Sequence, residues 1–300
     1  MRRSDSPKYV IVFTAAFMLA GLCDAVLPDT PSRWDTGTED WSVVDNWFLP
    51  YAADNLDSSL RISFANCSGD TPSIPAGIVI AKADATTSLG RYVGDYKAAD
   101  VSHVSFRLFC TAALPEKAQL LFHSSLSGNY WCFQLPAATL GEWVWFDVPL
   151  EYAAGWTMGP SEAAFNSDIE SVDWIGVRIF RNQTEEQAYL IDDFVVASSR
   201  YDADGDGMGD LAETRVGTDP HDASSVFKLS MMSSASGITI AWPSQPGFSY
   251  DVWRTTDLSA GFLPPALAAD VPASLSEPFT TYVDTTALEN GPYFYRVTPR

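Results

Sequence analysis

Positive charge is scarce in this chain. Eighteen lysines and arginines stand against 38 acidic residues, a formal charge of −20 over 300 residues. That sign repels the phosphate backbone that supplies most nucleic-acid affinity, so nucleic acid is not expected as a partner, and anionic membrane surfaces are disfavoured for the same reason. Divalent cations and neutral polymers stay compatible. Histidine is almost absent, with only His103, His123 and His221. Neither a G-x-S-x-G elbow nor an H-E-x-x-H helix occurs. No residue is nominated as a catalytic nucleophile. Acidic pairs abound, but none stands apart as the two carboxylates of a glycosidase. The expectation is a protein that is not an enzyme, with glycoside hydrolysis or lyase chemistry as the alternative.

Long apolar runs are missing too. Tyr9 to Leu22 gives about 14 residues, short of the roughly 20 needed to span a bilayer. Arg2, Arg3 and Lys8 precede it, and Cys23-Asp24-Ala25 supplies small residues at the −3 and −1 positions of a cleavage site. Residues 1–25 therefore read as a signal peptide, and the protein as exported to the periplasm, the cell surface or the medium, with no membrane insertion once the signal is cleaved. Leu22 stands where a lipoprotein signal wants Gly, Ala or Ser, which counts against acylation of Cys23. Cysteine is sparse. Cys67, Cys110 and Cys132 remain after cleavage, enough for one disulfide and one leftover thiol, and the pairing is not readable. Cys110 continues the alternation of Val104, Phe106 and Leu108 and fits a core thiol equally well.

What is present is apolar and aromatic. Apolar residues make up 46% and aromatics 13%, ample surface to offset ordering entropy and incompatible with disorder. From Trp34 to Val196 short alternating runs follow one another between Gly, Pro, Asn and Asp, without a long amphipathic helix. Candidate strands are Ser59 to Phe64, Gly77 to Ala81, Val104 to Cys110, Gln119 to His123, Tyr130 to Leu135, Trp143 to Val148, Trp174 to Phe180 and Tyr189 to Val196. The class is all-β, and about eight strands suggest a sandwich or jelly roll.

Three stretches carry a resemblance: Trp34-Asp35-Thr36-Gly37-Thr38-Glu39-Asp40-Trp41-Ser42, Val93-Gly94-Asp95-Tyr96, and Ile175-Gly176-Val177-Arg178 followed by Leu190-Ile191-Asp192-Asp193-Phe194. The segment 26–199 resembles bacterial carbohydrate-binding-module-like jelly rolls. The resemblance implies architecture more than activity, since such sandwiches serve adhesion, glycan binding and purely structural roles. It also suggests a calcium site joining Asp35 or Glu39 to Asp192.

Composition changes sharply over 200–225, where Asp, Gly, Ser and Thr dominate, as in a connector. Inside it, Asp202-x-Asp204-x-Asp206-Gly207-x-x-Asp210-x-x-Glu213 sets carboxylates at loop positions 1, 3, 5, 9 and 12, with glycine at position 6. A hard dication wants six to eight oxygens at about 2.4 Å, which such a turned loop delivers. Met208 at position 7 contributes only its carbonyl, and Asp210 acts through water. The cofactor expected is Ca2+. A solvated acidic turn that binds nothing leaves the joint register of five carboxylates and Gly207 unaccounted for. Gly205, Gly207 and Gly209 do not make a phosphate loop, because the neighbouring aspartates repel phosphate. No helix enters the loop, since Val195 to Arg200 leave a strand, and only Leu211 to Val216 offers a helical turn afterwards, ended by Gly217. The loop resembles a single thrombospondin type 3-like repeat; dockerins carry two such copies. Asp219 and Asp222 are either further ligands or turn caps. Such a site between two sandwiches stiffens a linker.

Alternation returns over 226–300, in Gly237 to Trp242, Ser249 to Arg254, Phe279 to Val283 and Pro292 to Val297, and resembles a compact fibronectin type III-like β-sandwich. For a binding face, period two sets Trp143, Trp145 and Asp147 opposite Val144, Phe146 and Val148, and sets Trp174 and Arg178 opposite Ile175, Val177 and Ile179. Trp143, Trp145, Asp147, Trp174 and Arg178 form a candidate glycan platform, or else a second core layer under loops. The combined expectation is a secreted or surface-associated calcium-binding accessory protein whose partner is an extracellular polysaccharide or a cell-surface component. A purely structural or adhesive component is the alternative.

Overall fold

The computed structural model describes residues 26–300 except 36, 40, 46–52, 65–76, 87, 183–185 and 288–290. The segment 1–25, expected to be a signal peptide, and Cys67 lie outside the described residues. Ten strands build the first unit: β1 (Ser42–Asp45), β2 (Ala53–Asn55), β3 (Leu60–Phe64), β4 (Ile78–Asp84), β5 (Val101–Cys110), β6 (Lys117–Ser124), β7 (Tyr130–Gln134), β8 (Trp143–Pro149), β9 (Val172–Phe180) and β10 (Gln187–Ser198). They form two antiparallel five-stranded sheets, ordered β1-β4-β9-β6-β7 and β2-β3-β10-β5-β8. The protein is all-β, and this unit is a jelly-roll sandwich.

Period-two alternation decides which side chains meet between the sheets. Ile175, Val177 and Ile179 of β9 share one buried core with Val104, Phe106 and Leu108 of β5, Phe146 and Val148 of β8, and Ile191 of β10. Each such side chain contributes about 1.5–3 kcal/mol when fully buried, so this shared core dominates the unit's stability. Gly176 lies on β9 opposite β4, and a Cβ there would lie 2.4 Å from the Ala81 carbonyl oxygen.

The stretches that carried the resemblance are structural. Trp34 and Trp41 are buried, with ring centroids 5.5 Å apart. Trp41 meets Phe194 at 4.8 Å, edge to face, and the Ser32 N–H donates to the Phe194 carbonyl. The segment before β1 is thereby pinned onto β10. The helix α1 (Glu162–Asp168) begins at Ser161, whose side chain accepts the Ala164 N–H, and buries Phe165.

The second unit has β11 (Ser230–Ser234), β12 (Gly237–Pro243), β13 (Ser249–Thr255), β14 (Ala268–Pro272), β15 (Phe279–Asp284) and β16 (Phe294–Pro299). They make two three-stranded sheets, β11-β12-β15 and β14-β13-β16. The core is smaller, built on Ile240, Trp242, Tyr250, Val252 and Val297. Between the units runs the short helix α2 (Asp210–Val216), closed by Gly217 at φ 84°. Its last residue, Val216, is buried in the second unit's core.

Cys110 and Cys132 are buried and carry no disulfide. Burial pushes the Cys110 thiol up to about 11. Among the described residues no helix is long and apolar enough to cross a membrane.

Candidate metal centre and outer faces of the jelly roll

The strand β10 ends at Ser198 and the chain passes directly into the acidic loop, with α2 leaving it. Positive φ values at Gly205 (76°) and Gly207 (97°) turn the loop, a conformation glycine adopts without strain. Asp202 accepts the N–H groups of Gly205 at 2.7 Å and Gly207 at 2.9 Å. Asp204 accepts from Asp206 at 3.1 Å, and Asp206 from Met208 at 2.7 Å. Oxygens of Asp202, Asp204 and Asp206 converge within 4.8 Å of one another.

Glu213 completes the group from the first turn of α2. It is fully buried, and neither of its carboxylate oxygens makes a hydrogen bond, nor does the second oxygen of Asp204. An unpartnered buried carboxylate carries a heavy desolvation cost unless it meets a cation. Burial, with the charges of Asp204, Asp206 and Asp210, outweighs the opposing pull of the neighbouring Thr218 hydroxyl and pushes Glu213 up to about 7. The donor set is all oxygen and fits calcium.

Asp210 behaves differently from a simple ninth-position ligand. Its Oδ1 accepts the Ala203 N–H at 2.8 Å, while Oδ2 lies 3.5 Å from Nε2 of His103 on β5. Met208 turns its side chain onto the second unit's core. Asp219 accepts the His221 N–H, and Asp222 accepts the N–H and hydroxyl of Ser224, so both cap turns.

The five residues of the candidate glycan platform do not share a face. Trp143, Trp145 and Asp147 lie on β8, in the sheet ordered β2-β3-β10-β5-β8, whereas Trp174 and Arg178 lie on β9 in the opposite sheet. Alternation gives the side of one sheet but carries no information on which sheet a strand joins. On β8 the connector covers the face. His221 stacks on Trp145 with centroids 3.7 Å apart and planes 9° apart, and its Nε2 lies 3.3 Å from Asp147. Trp143 carries the Arg107 guanidinium 4.7 Å from its centroid.

On β9, Trp174 is nearly buried, with His123 stacked 6.1 Å away. Arg178 donates to the Gln119 side-chain carbonyl at 2.9 Å. Tyr130 at the neighbouring strand is exposed, its ring 4.6 Å from His123 and 5.8 Å from Trp174. His123 Nδ1 is 2.6 Å from Asp173. Tyr130, His123 and Asp173 were missed in the sequence because nothing local marks β7, β6 and β9 as neighbours on one platform.

Of the residues expected for a second calcium site, Asp35 or Glu39 with Asp192, both Glu39 and Asp192 are engaged elsewhere. Glu39 bonds Arg91 at 2.8 Å and the Trp34 N–H at 2.7 Å, and Asp192 bonds Arg107 at 2.6 Å. Each carboxylate already has its own arginine.

No protein-family model matches this chain, and no curated protein matches it. Among solved structures, it is similar to the family 11 carbohydrate-binding module from Clostridium thermocellum in complex with a β-1,3-1,4-mixed-linked tetrasaccharide, at 11% identity over 58% of this chain and 98% of that one, TM-score 0.38. The L4b domain of human laminin alpha-2 matches at 9% identity over 57% and 98%, TM-score 0.42. A β-1,2-glucanase from Parabacteroides distasonis matches at 13% over 80% and 30%, TM-score 0.30. Identities this low carry no residue correspondence, so the chemistry of this chain rests on its own side chains.

Proposed function

We propose that this chain is a non-catalytic, exported calcium-binding accessory protein in which the ion orders the connector between two β-sandwiches. The observation that carries the reading is Glu213, wholly buried with two unpartnered oxygens beside the three converging aspartates. Calcium supplies the positive charge those oxygens want. Extracellular modules of this kind bind with Kd of about 10⁻⁴ to 10⁻³ M, which suits a structural ion in a calcium-rich medium rather than a sensor. The test is a calcium titration of the full chain followed by tryptophan fluorescence and thermal unfolding. A saturable rise in stability, lost in Asp204→Ala plus Asp206→Ala, supports the reading; no response, or the same response in that variant, overturns it.

A second element is a glycan-binding face on the sheet ordered β1-β4-β9-β6-β7. It is favoured by the exposed Tyr130 ring beside His123 and Trp174, with the polar groups of Asp173, Gln119 and Arg178 close by. Aromatic faces flanked by hydrogen-bonding side chains suit sugar rings. The opposite sheet offers less, because His221 already occupies Trp145. Retention on a polysaccharide panel, reduced at least tenfold in Tyr130→Ala, is the expected result. Release of sugar products on that panel would instead favour an enzyme.

A further inference from the structure

The joint between β5, β8 and α2 holds a second group of converging acceptors, which has only Asp210 in common with the calcium loop. A nitrogen of His103 and one oxygen each of Asp147 and Asp210 lie within 4.8 Å of one another. Each of these side chains is tied by one atom and open at another. The Ser102 hydroxyl lies 2.9 Å from His103 Nδ1 and points its own hydrogen at the Ala197 carbonyl, 3.4 Å away. Donation from Nδ1–H to Ser102, which the Ser102–Ala197 contact accommodates, leaves a lone pair on Nε2. Asp147 receives His221 Nε2 on Oδ2, and its Oδ1 is buried, with the Ser105 hydroxyl the one further donor to this carboxylate. Asp210 receives the Ala203 N–H on Oδ1, and its Oδ2 is likewise buried and unpartnered, as is His103 Nε2. The side chains of His103 and Asp210 are 4% and 1% exposed, so solvent does not satisfy them.

We propose that His103 Nε2, Asp147 Oδ1 and Asp210 Oδ2 form a second cation site, one that takes a borderline first-row divalent ion of the zinc type and staples the connector to the jelly roll. The Ser105 hydroxyl stands opposite Asp147, but His103 Nε2 and Asp210 Oδ2, both buried, face one another and this carboxylate with no donor between them, which calls for a positive charge. A protonated imidazole is the competing arrangement, but the 3.5 Å from Nε2 to Asp210 is too long for a charge-assisted hydrogen bond, which runs at about 2.7–2.9 Å. The same spacing suits an ion, since metal bonds of about 2.0–2.2 Å to imidazole and carboxylate set neighbouring donor atoms about 3–3.5 Å apart. The imidazole nitrogen selects against calcium, which takes oxygen ligands. The outer contacts have the form found around ligating histidines: Ser102 fixes the tautomer of His103, and His221, held flat on Trp145, is a positioning residue for Asp147. The site shares Asp210 with the calcium loop, yet it does not require that the loop bind calcium.

The experiment uses the full chain, stripped with chelator and then saturated with calcium. Zn2+ is titrated by calorimetry, and Co2+ serves as a visible-absorption reporter of nitrogen–oxygen coordination. The expected result is one Zn2+ per chain, with affinity at least tenfold weaker in His103→Ala and in Asp147→Asn while the calcium response persists. In Asp204→Ala plus Asp206→Ala, zinc binding stays and the calcium response goes, so failure of one site is told apart from failure of the other. Absence of zinc binding in the unsubstituted chain, or equal affinity and the same Co2+ spectrum in His103→Ala, overturns the proposal. Should the variants fold poorly, zinc anomalous scattering from a crystal of the unsubstituted protein decides: a peak among the three donor atoms supports the site, and a peak only elsewhere, such as at His123 and Asp173, overturns it.

Discussion

The imidazole of His221 lies flat on the indole of Trp145, 3.7 Å between centroids, with Nε2 3.3 Å from Asp147. The two rings belong to different parts of the chain, one to the connector and one to β8, so this contact fixes the connector against the outer face of the jelly roll.

Removing either ring should loosen that attachment without unfolding either core. An aromatic pair contributes about 0.5–1.5 kcal/mol beyond its buried area. His221→Ala and Trp145→Ala should each raise the rate of tryptic cleavage at Arg200 and Arg215 several-fold, while far-ultraviolet circular dichroism stays unchanged. Equal cleavage rates would show that the stack does not hold the connector.

Calcium should stabilise the chain strongly for a weakly bound ion. At a concentration 100 times Kd the linkage contributes about 2.7 kcal/mol, or about 5–10 °C in Tm. The effect should depend on pH with a definite sign. Glu213, ordinarily near 4.5, is pushed up to about 7, so its ionised form is disfavoured in the metal-free fold. The stability this group gives the metal-free protein is full below 4.5 and is lost as pH rises through 7. Calcium needs the ionised form, so the difference in Tm with and without calcium should widen from pH 5 to pH 8. A difference constant over that range would refute the role given to Glu213.

The second sandwich should be acid-sensitive through Asp284. That carboxylate is buried and bonds Arg254 at 2.7 Å, the Tyr295 hydroxyl at 2.8 Å and the Thr286 N–H at 2.9 Å. Burial alone would raise it, but the bonds from Thr286, Tyr295 and Arg254 prevail and hold it below its usual 3.8. Its contribution is present above 3.8 and is lost as pH falls through the depressed folded value. Asp284→Asn should cost about 2–4 kcal/mol at neutral pH by leaving Arg254 unpaired, and should flatten the acid limb of the unfolding curve measured by denaturant titration between pH 2 and pH 7.

Gly176→Ala tests the close approach of β9 to β4. The added methyl would meet the Ala81 carbonyl at 2.4 Å, and backbone does not yield cheaply. A loss of about 1–3 kcal/mol is expected from overpacking, read as a lower denaturant midpoint with the calcium response intact.

The strands with strong alternation were legible in the sequence. Val104 to Cys110, Trp143 to Val148 and Trp174 to Phe180 all lie within strands of the fold, because a sheet with one buried face writes period two into its residues. The strands that escaped notice lack that signature. In β11, Ser230–Ser234, every residue is exposed, and β2, Ala53–Asn55, has three residues. The acidic loop was legible because all its carboxylates sit within twelve positions. The cluster of His103, Asp147 and Asp210 was not, since it joins β5, β8 and α2 and depends on where the connector lands.

Val216 closes α2 yet is buried beside Ile240, Trp242 and Tyr250, so the boundary between the two sandwiches is not a neutral place to cut. A fragment beginning at 226 would leave the floor of that small core open to solvent. A fragment that keeps this core closed therefore begins before Val216, and α2 counts as the first element of the second sandwich as much as the last of the connector.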